Sequence, residues 1–348
     1  MKATVVFRMN GVSNAFMREL NCAPCPQCSD DKPRANTSGS LLIKTSSGFE
    51  RHLLFDCGIG VVDSLIDFGI RRVDYIFNTH NHFDHVAGLD RLLNSLRRNP
   101  SGGQPKTPLF YSTSGTWNKG ILEPYGYLAN WVEWRNINPQ VASGASVPLE
   151  DLGIGLSVTP FPVYHGPYAY EPVIFVVEFG SGDTRRKLVL CWDLLHLVMH
   201  HPAPPDDWFK VRRAVPGSHG YPTDDRPQLP EQQMLYTALD NPTEGLGPED
   251  LTDRHKLLFG ADEFIVEGNT ALPNFCTGHI SIIGAMELVR RSKPKRTWVV
   301  HYSGHEDCWG PMSDEELQNW INVEKRYRGI EDQDIRVARH GMTLTYAL

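Results

Sequence analysis

Thr79-His80-Asn81-His82-Phe83-Asp84-His85 puts three histidines and one aspartate into residues 80–85, straight after the apolar run Val73–Phe77. In an extended segment, residues two apart face the same way, so His80 and His82 can grip one cation together. Beyond them Val86–Leu96 carries apolar residues at helical period. A turn into that helix swings Asp84 and His85 towards a second cation. Imidazole and carboxylate are suitable donors for zinc, manganese or iron. The bland alternative is a polar loop with accidental histidines, and so dense a cluster argues against it.

Upstream, Lys2–Arg8, Ser40–Ser46 and Arg51–Phe55 have the β-branched and apolar density of strands. The cysteine-rich segment Asn21–Thr37 lies between the first two, and Val62–Phe68 has helical spacing. Downstream, the stretch from Pro100 to about Pro148 is rich in Gly, Pro and aromatics, with a strand expected at Leu109–Ser112. Further strands are expected at Leu156–Val163, Val173–Phe179, Lys187–Cys191 and Thr297–Val300, with a closing strand region at Ile335–Thr345. Helices are expected at Ile280–Ser292 and Asp314–Arg328. His200–Pro230 reads as a long proline-rich loop, and such loops are usually functional lids or insertions. Its Lys210, Arg212 and Arg213 could meet a phosphate, although solvated loop residues are the plainer reading. Strands interleaved with helices in both halves predict an α/β sandwich, two mixed sheets with flanking helices.

The 348 residues, 41% of them hydrophobic, are enough to bury a sizeable core. A formal net charge of −7 without long runs of one sign argues against an extended nucleic-acid surface. It leaves room for a small phosphorylated substrate, because a metal site supplies positive charge locally. No stretch approaches the roughly 20 apolar residues of a membrane span. The run Ala3–Phe7 is too short for a secretory signal, so the expected location is cytoplasmic. Seven cysteines, an odd number, argue against a disulfide framework and favour metal ligation by any tight cluster.

The string His80-x-His82-x-Asp84-His85 after a strand resembles the signature of the metallo-β-lactamase superfamily. Leu53-Leu54-Phe55-Asp56-Cys57-Gly58 resembles the strand-plus-Asp-Gly element whose carboxylate supports the histidine loop. Val163-Tyr164-His165-Gly166 resembles the third-histidine motif, and Leu188-Val189-Leu190-Cys191-Trp192-Asp193 the strand that ends in a metal-bridging aspartate. Val299-Val300-His301-Tyr302-Ser303 resembles the strand that ends in the last histidine. The resemblance implies an αββα sandwich spanning residues 1–348 as a single domain. A zinc-binding segment (21–37) and insertions at about 100–148 and 200–230 would decorate it. It also implies two divalent active-site metals (zinc or manganese, or iron). His80, His82 and His165 would hold one and Asp84, His85 and His301 the other, with Asp193 bridging and Asp56 orienting the histidines. Three alternatives stay open: His165 as a turn histidine, Asp193 as an N-cap for Leu194–Met199, and His305 in place of His301.

Asn21-Cys22-Ala23-Pro24-Cys25-Pro26-Gln27-Cys28 spaces three cysteines three residues apart. Such thiolates suit a tetrahedral structural zinc that needs a fourth ligand; three reduced thiols are the alternative. The segment resembles that of the phosphoribosyl cyclic phosphodiesterases, a branch related to the tRNA 3′-processing nucleases. That resemblance implies His305 as the fourth ligand, with Cys308 competing and Cys276 weaker. Two departures are visible: the first two cysteines are separated by two residues rather than one, and the two histidines are one residue further apart. Thr277-Gly278-His279-Ile280-Ser281 resembles the branch's histidine-before-helix element. The resemblance implies that His279 meets the phosphate or protonates the leaving alkoxide, with Asp262 and Glu267 as candidates to orient it. A capping or core histidine is the alternative.

Together these features predict a metallo-hydrolase in which two cations generate hydroxide from water near neutral pH. The expected catalytic residues are His279, Asp84 and Asp193, the two aspartates as metal ligands rather than free bases. The favoured substrate is a small phosphodiester, cyclic or open. A thioester or lactone hydrolase on the same metal centre and a non-hydrolytic biosynthesis accessory protein are the alternatives. Oligomeric state is open, a homodimer included.

Overall fold

The structure, a computed structural model, describes residues 3–15, 22, 25–28, 35–46, 48, 50–98, 107–137, 147–148, 153–166, 168–197, 255–272, 279–305, 307 and 310–348. Among these residues the strands form two seven-stranded sheets. In the first sheet β1 (Ala3–Gly11), β2 (Ser38–Thr45) and β3 (Glu50–Phe55) are followed by β4 (Tyr75–Phe77), β5 (Leu109–Ser112) and β6 (Glu133–Asn136). The second runs from β7 (Val147–Pro148) through β8 (Ser157–Pro162), β9 (Val173–Phe179), β10 (Arg186–Cys191), β11 (Glu263–Glu267) and β12 (Thr297–Val300) to β13 (Ile335–Val337). The last strand, β14 (Thr343–Ala347), returns to the first sheet and pairs antiparallel with β1.

Period-two alternation decides which side chains meet between the sheets. Val5, Phe7, Met9, Leu53, Phe55 and Phe77 point inward from the first sheet, against Phe175, Val177, Leu188, Leu190 and Ile265 from the second. Leu54 and Ile76 face the other way and pack under α1 (Val61–Asp67) and α3 (Leu89–Arg97). On the far face of the second sheet, Val189, Phe264 and Val299 pack against α6 (Ile282–Ser292) and α7 (Asp314–Tyr327). Three apolar layers therefore separate helix, sheet, sheet and helix, which is the αββα sandwich the sequence predicts.

Strand direction then determines where functional side chains gather. β3, β4, β5 and β6 are mutually parallel, as are β10, β11, β12 and β13. β8 is antiparallel to β9 and β9 to β10, so β8 runs the same way as β10. The crevice outside the carboxyl ends of such strands is where α/β sheets place ligands. Asp56, Asn78–His85, His165, Asp193 and His301 all follow the carboxyl ends of these strands, and Glu267 is the last residue of β11.

Local departures from the sequence reading have physical causes. The helix expected over Val86–Leu96 is two helices, α2 (Phe83–Val86) and α3, broken at Ala87-Gly88. The break lets the chain touch the 57–58 turn. Gly88 N donates to Cys57 O at 2.8 Å, and a Cβ on Gly88 would lie 2.3 Å from Gly58 O. The closing strand region expected at Ile335–Thr345 resolves into two strands in different sheets. α6 starts at Ile282, because the Ser281 hydroxyl accepts from Gly284 N and caps it. The aromatic stretch holds α4 (Ser114–Thr116), a π-helical turn Trp117–Leu122, α5 (Glu123–Tyr125) and a 3-10 turn. The segment 200–230 with Lys210, Arg212 and Arg213 lies outside the described residues, as do Cys276, Cys308 and 138–146. Among the described residues no helix is long and apolar enough to cross a membrane.

Candidate metal centre

The structure brings His80, His82, Asp84, His85, His165, Asp193 and His301 together. Two donor groups are compact enough to hold cations: His80, His82 and His165, and Asp84, His85, Asp193 and His301. His165 Nε2 and His82 Nδ1 lie 3.0 Å apart, so both can reach one cation at the about 2.1 Å of a zinc–nitrogen bond. Asp193 Oδ2 stands between the groups. It is 3.9 Å from His80 Nε2 and 3.8 Å from His165 Nε2 on one side, and 3.0 Å from His85 Nε2 and 3.3 Å from His301 Nε2 on the other. Asp84 Oδ2 closes the second group, 3.3 Å from His301 Nε2 and 3.4 Å from His85 Nε2. Asp193 caps no helix within the described residues.

The loop geometry comes from Asp56, which is fully buried and takes a left-handed backbone at φ 58°. Its carboxylate accepts from Thr79 N at 2.8 Å, Thr79 Oγ1 at 2.7 Å, Asn78 Nδ2 at 2.7 Å and Trp192 Nε1 at 2.8 Å. His85 Nδ1 donates to it at 2.9 Å, which turns Nε2 towards Asp193. Because the Thr79 hydroxyl gives its proton to Asp56, its oxygen can accept from His80 Nδ1 at 3.0 Å, leaving Nε2 unprotonated. Such partners orient metal-ligating histidines. Thr79, Asn78 and Trp192 went unnoticed in the sequence because nothing in their type distinguishes them from ordinary loop and core residues.

Burial and charge set the protonation states. Burial first, then His85 and His82, holds His80 well below the usual imidazole value. Burial likewise lowers His165, and brings His82 down to about 4. Neutral imidazoles are what a cation requires. Burial alone would raise Asp84 and Asp193, but His85 and His301 outweigh it and hold both carboxyls well below their usual range. His85 shows the reverse: burial opposes its charge, but Asp193, Asp84 and Asp56 hold it well above the usual value. An imidazolium here balances the carboxylates, a role a divalent cation takes over. His80 Nε2 and Asp193 Oδ1 are buried and make no hydrogen bond among the described residues. Buried acceptors left without a donor fit a nearby cation better than apolar packing.

His279 borders the same space. Its Nδ1 donates to Glu267 Oε2 at 2.6 Å and lies 3.8 Å from Asp193 Oδ2. Glu267 also accepts from Leu194 N; burial followed by the Asp193 charge pushes its carboxyl well up, and a cation held by Asp193 would offset that charge and leave Glu267 able to accept from His279. Asp262 does not orient His279. It accepts instead from Lys187 N at 2.8 Å and Lys295 Nζ at 2.7 Å, at the opposite end of β11. Glu267, Asp193, His279 and His301 also form a compact donor group.

Cys22, Cys25 and Cys28 place their sulfurs 3.5, 3.4 and 3.2 Å from His305 Nε2. The neighbouring Cys25 thiol, then burial, pushes Cys22 up to about 12, so the three do not ionise together without a cation. Three thiols around one imidazole suit a tetrahedral zinc.

This sandwich, with its histidine and aspartate donors at one edge, has the architecture of the metallo-β-lactamase fold. Residues 39–206 match the family model described as Metallo-beta-lactamase superfamily. A crystal structure titled a new diphosphatase from the PhnP family superposes with a TM-score of 0.62 at 16% identity, covering 100% of this chain and 99% of that one. The octanoyltransferase of Porphyromonas gingivalis (strain ATCC BAA-308 / W83) is 40% identical over 75 residues, 21% of this chain. The ribonuclease Z of Bradyrhizobium sp. (strain ORS 278) is 35% identical over 80 residues, 20% of this chain. The chain spans 15% and 27% of the length of these two curated relatives.

Proposed function

We propose that this chain is a metal-dependent hydrolase acting on a small phosphodiester, a cyclic one included. The observation that carries the reading is Asp193 Oδ2, set within 3.9 Å of nitrogens from both donor groups, where a two-cation site needs its bridge. In this reading His80, His82 and His165 hold one cation, Asp84, His85 and His301 the other, and Asp193 both. Cys22, Cys25, Cys28 and His305 hold a structural zinc. Zinc, manganese and iron all suit the His and Asp donors. When bound, the cation pair supplies Lewis acidity towards phosphate oxygens and lowers the pKa of water.

The chain's own residues do the rest. Asp84 and Asp193 are engaged as ligands, so neither serves as a free base. Glu267 holds the proton on His279 Nδ1, which leaves Nε2 to carry a second proton to the departing alkoxide. A poor alkoxide leaving group needs that proton, whereas the thiolate of a thioester leaves readily without it. That difference, the cysteine segment and the likeness to ribonuclease Z over 80 residues favour a phosphodiester.

A substrate panel tests the proposal. Bis-p-nitrophenyl phosphate and cyclic nucleotides are expected to turn over, with loss on chelation and recovery with manganese or zinc. Wild-type-like turnover by His82→Ala overturns the metal mechanism. Faster cleavage of a thioester or a lactone than of any phosphodiester overturns the substrate class.

A further inference from the structure

We propose that three buried asparagines, Asn36, Asn14 and Asn269, are positioning residues: a relay that holds the Asp84 side of the metal centre against its His301 side. Asp84 follows the first sheet and His301 the second, and their side chains meet at 3.3 Å. A pair assembled across two sheets keeps its spacing only if the backbones behind it are also joined. The relay supplies that second connection.

Asn36 is fully buried at the start of the link. Its Oδ1 accepts from Ile59 N at 2.7 Å and its own N donates to Ile59 O at 3.0 Å, fixing it to the turn that follows Asp56. Gly58 lies in that turn. A Cβ there would sit 2.7 Å from Asn36 Cβ and 1.8 Å from Asp84 O, so one glycine separates Asn36 from the Asp84 backbone. Asn36 Nδ2 donates to Asn14 O at 2.7 Å. Asn14 Nδ2 in turn donates to Asn269 Oδ1 at 3.0 Å across the sheets. Asn269 O accepts from Ser303 N at 3.2 Å, two residues past His301. His301 N itself donates to Val12 O at 2.8 Å, two residues before Asn14, and His301 holds a left-handed φ of 65°. Asn14 and Asn269 are each 3% exposed. Buried amides need their partners, because an unsatisfied one carries a full desolvation penalty. A relay of this kind therefore has one low-energy arrangement.

The same asparagines bracket the cysteine segment. Ser13 and Asn36 form a bridge that closes the chain between them. That loop's cysteines reach His305, four residues past His301. The proposal rests on the metal-binding reading of the donors and is indifferent to the substrate.

Cobalt-substituted full-length protein provides the test, with Asn14→Ala, Asn269→Ala and the double variant. Near-ultraviolet thiolate-to-cobalt bands report the cysteine cluster and the fold, while the part of the visible d–d absorption that His82→Ala protein loses reports the nitrogen–oxygen centre. Chelator competition on each variant is expected to show one catalytic cation weakened about 10–100-fold. Its d–d spectrum should change while the thiolate bands stay as in wild type. The double variant is expected to be no worse than either single one, because both cut the same link. Catalytic-cation affinity within twofold of wild type overturns the relay. So do losses that multiply in the double variant, or a parallel loss of the thiolate bands. Wild-type protein whose d–d absorption and bound cobalt equal those of His82→Ala overturns the metal reading itself, whereas failure on phosphodiesters touches only the substrate assignment.

Discussion

His279 Nδ1 and Glu267 Oε2 lie 2.6 Å apart, and the acid role proposed for His279 predicts how a substitution depends on the leaving group. Removing the acid matters in proportion to the proton affinity of the departing oxygen. With His279→Gln, kcat on an alkyl phosphodiester is expected to fall about 10²–10⁴-fold. On bis-p-nitrophenyl phosphate, whose phenolate leaves readily, the loss should stay below about tenfold. Glu267→Gln should follow the same pattern more weakly, with metal content unchanged in both. Equal losses on the two substrates would remove His279 from the acid role. Asp56 stands one step behind the proposed cation donors. Asp56→Ala strips partners from His85, Thr79, Asn78 and Trp192 at once. Metal affinity is expected to drop about 10–100-fold, measured by chelator competition. Residues of this kind divide sharply in legibility. Seven of the donors were readable because His and Asp at strand ends are rare and patterned. Asn14, Asn36, Thr79 and Trp192 were not, since their roles exist only through partners distant in sequence.

At the scale of elements, strands were easier to read than the breaks between helices. Period-two alternation marks Val5, Phe7 and Met9 without reference to the rest of the chain. The split of α2 from α3 depends on Gly88 meeting the Cys57-Gly58 turn, a contact that helical periodicity cannot encode. Likewise, a local pattern cannot say that β13 and β14 join different sheets. The β3 strand carries a testable consequence of its own. His52 is buried, its Nδ1 against Arg72 O and its Nε2 2.7 Å from the Ser40 hydroxyl, and burial brings it down to about 4. The folded value lies below the unfolded value of about 6.5, so the unfolded chain takes up the proton first. The stabilisation is complete above pH about 6.5 and is lost as pH falls towards 4, on the order of 3 kcal/mol in full. Urea unfolding at pH 7 and pH 4.5 should show it. The loss of stability on acidification is expected to be smaller in His52→Gln by about 2 kcal/mol. An equal loss in both proteins would assign the acid sensitivity elsewhere.

The candidate donors are divided between the two sheets, so cations bound by them as proposed would be structural as well as chemical. His80, His82, Asp84 and His85 follow β4 of the first sheet, whereas His165, Asp193 and His301 follow β8, β10 and β12 of the second. Without a cation, buried carboxylates and imidazoles face one another across the junction, with only protons to balance them. A ligand that binds the folded state alone stabilises it by mass action, about 4 kcal/mol at a thousandfold excess over its dissociation constant. Chelation should therefore lower Tm as well as activity. Adding back zinc or manganese should restore Tm in a concentration-dependent way. In His82→Ala the restoring shift should be smaller, because one donor of the first group is gone, while the thiolate cluster still holds its own metal. If Tm stayed constant through chelation while activity vanished, the cations would be held by one sheet alone. The division of donors between the two halves would then have no energetic meaning.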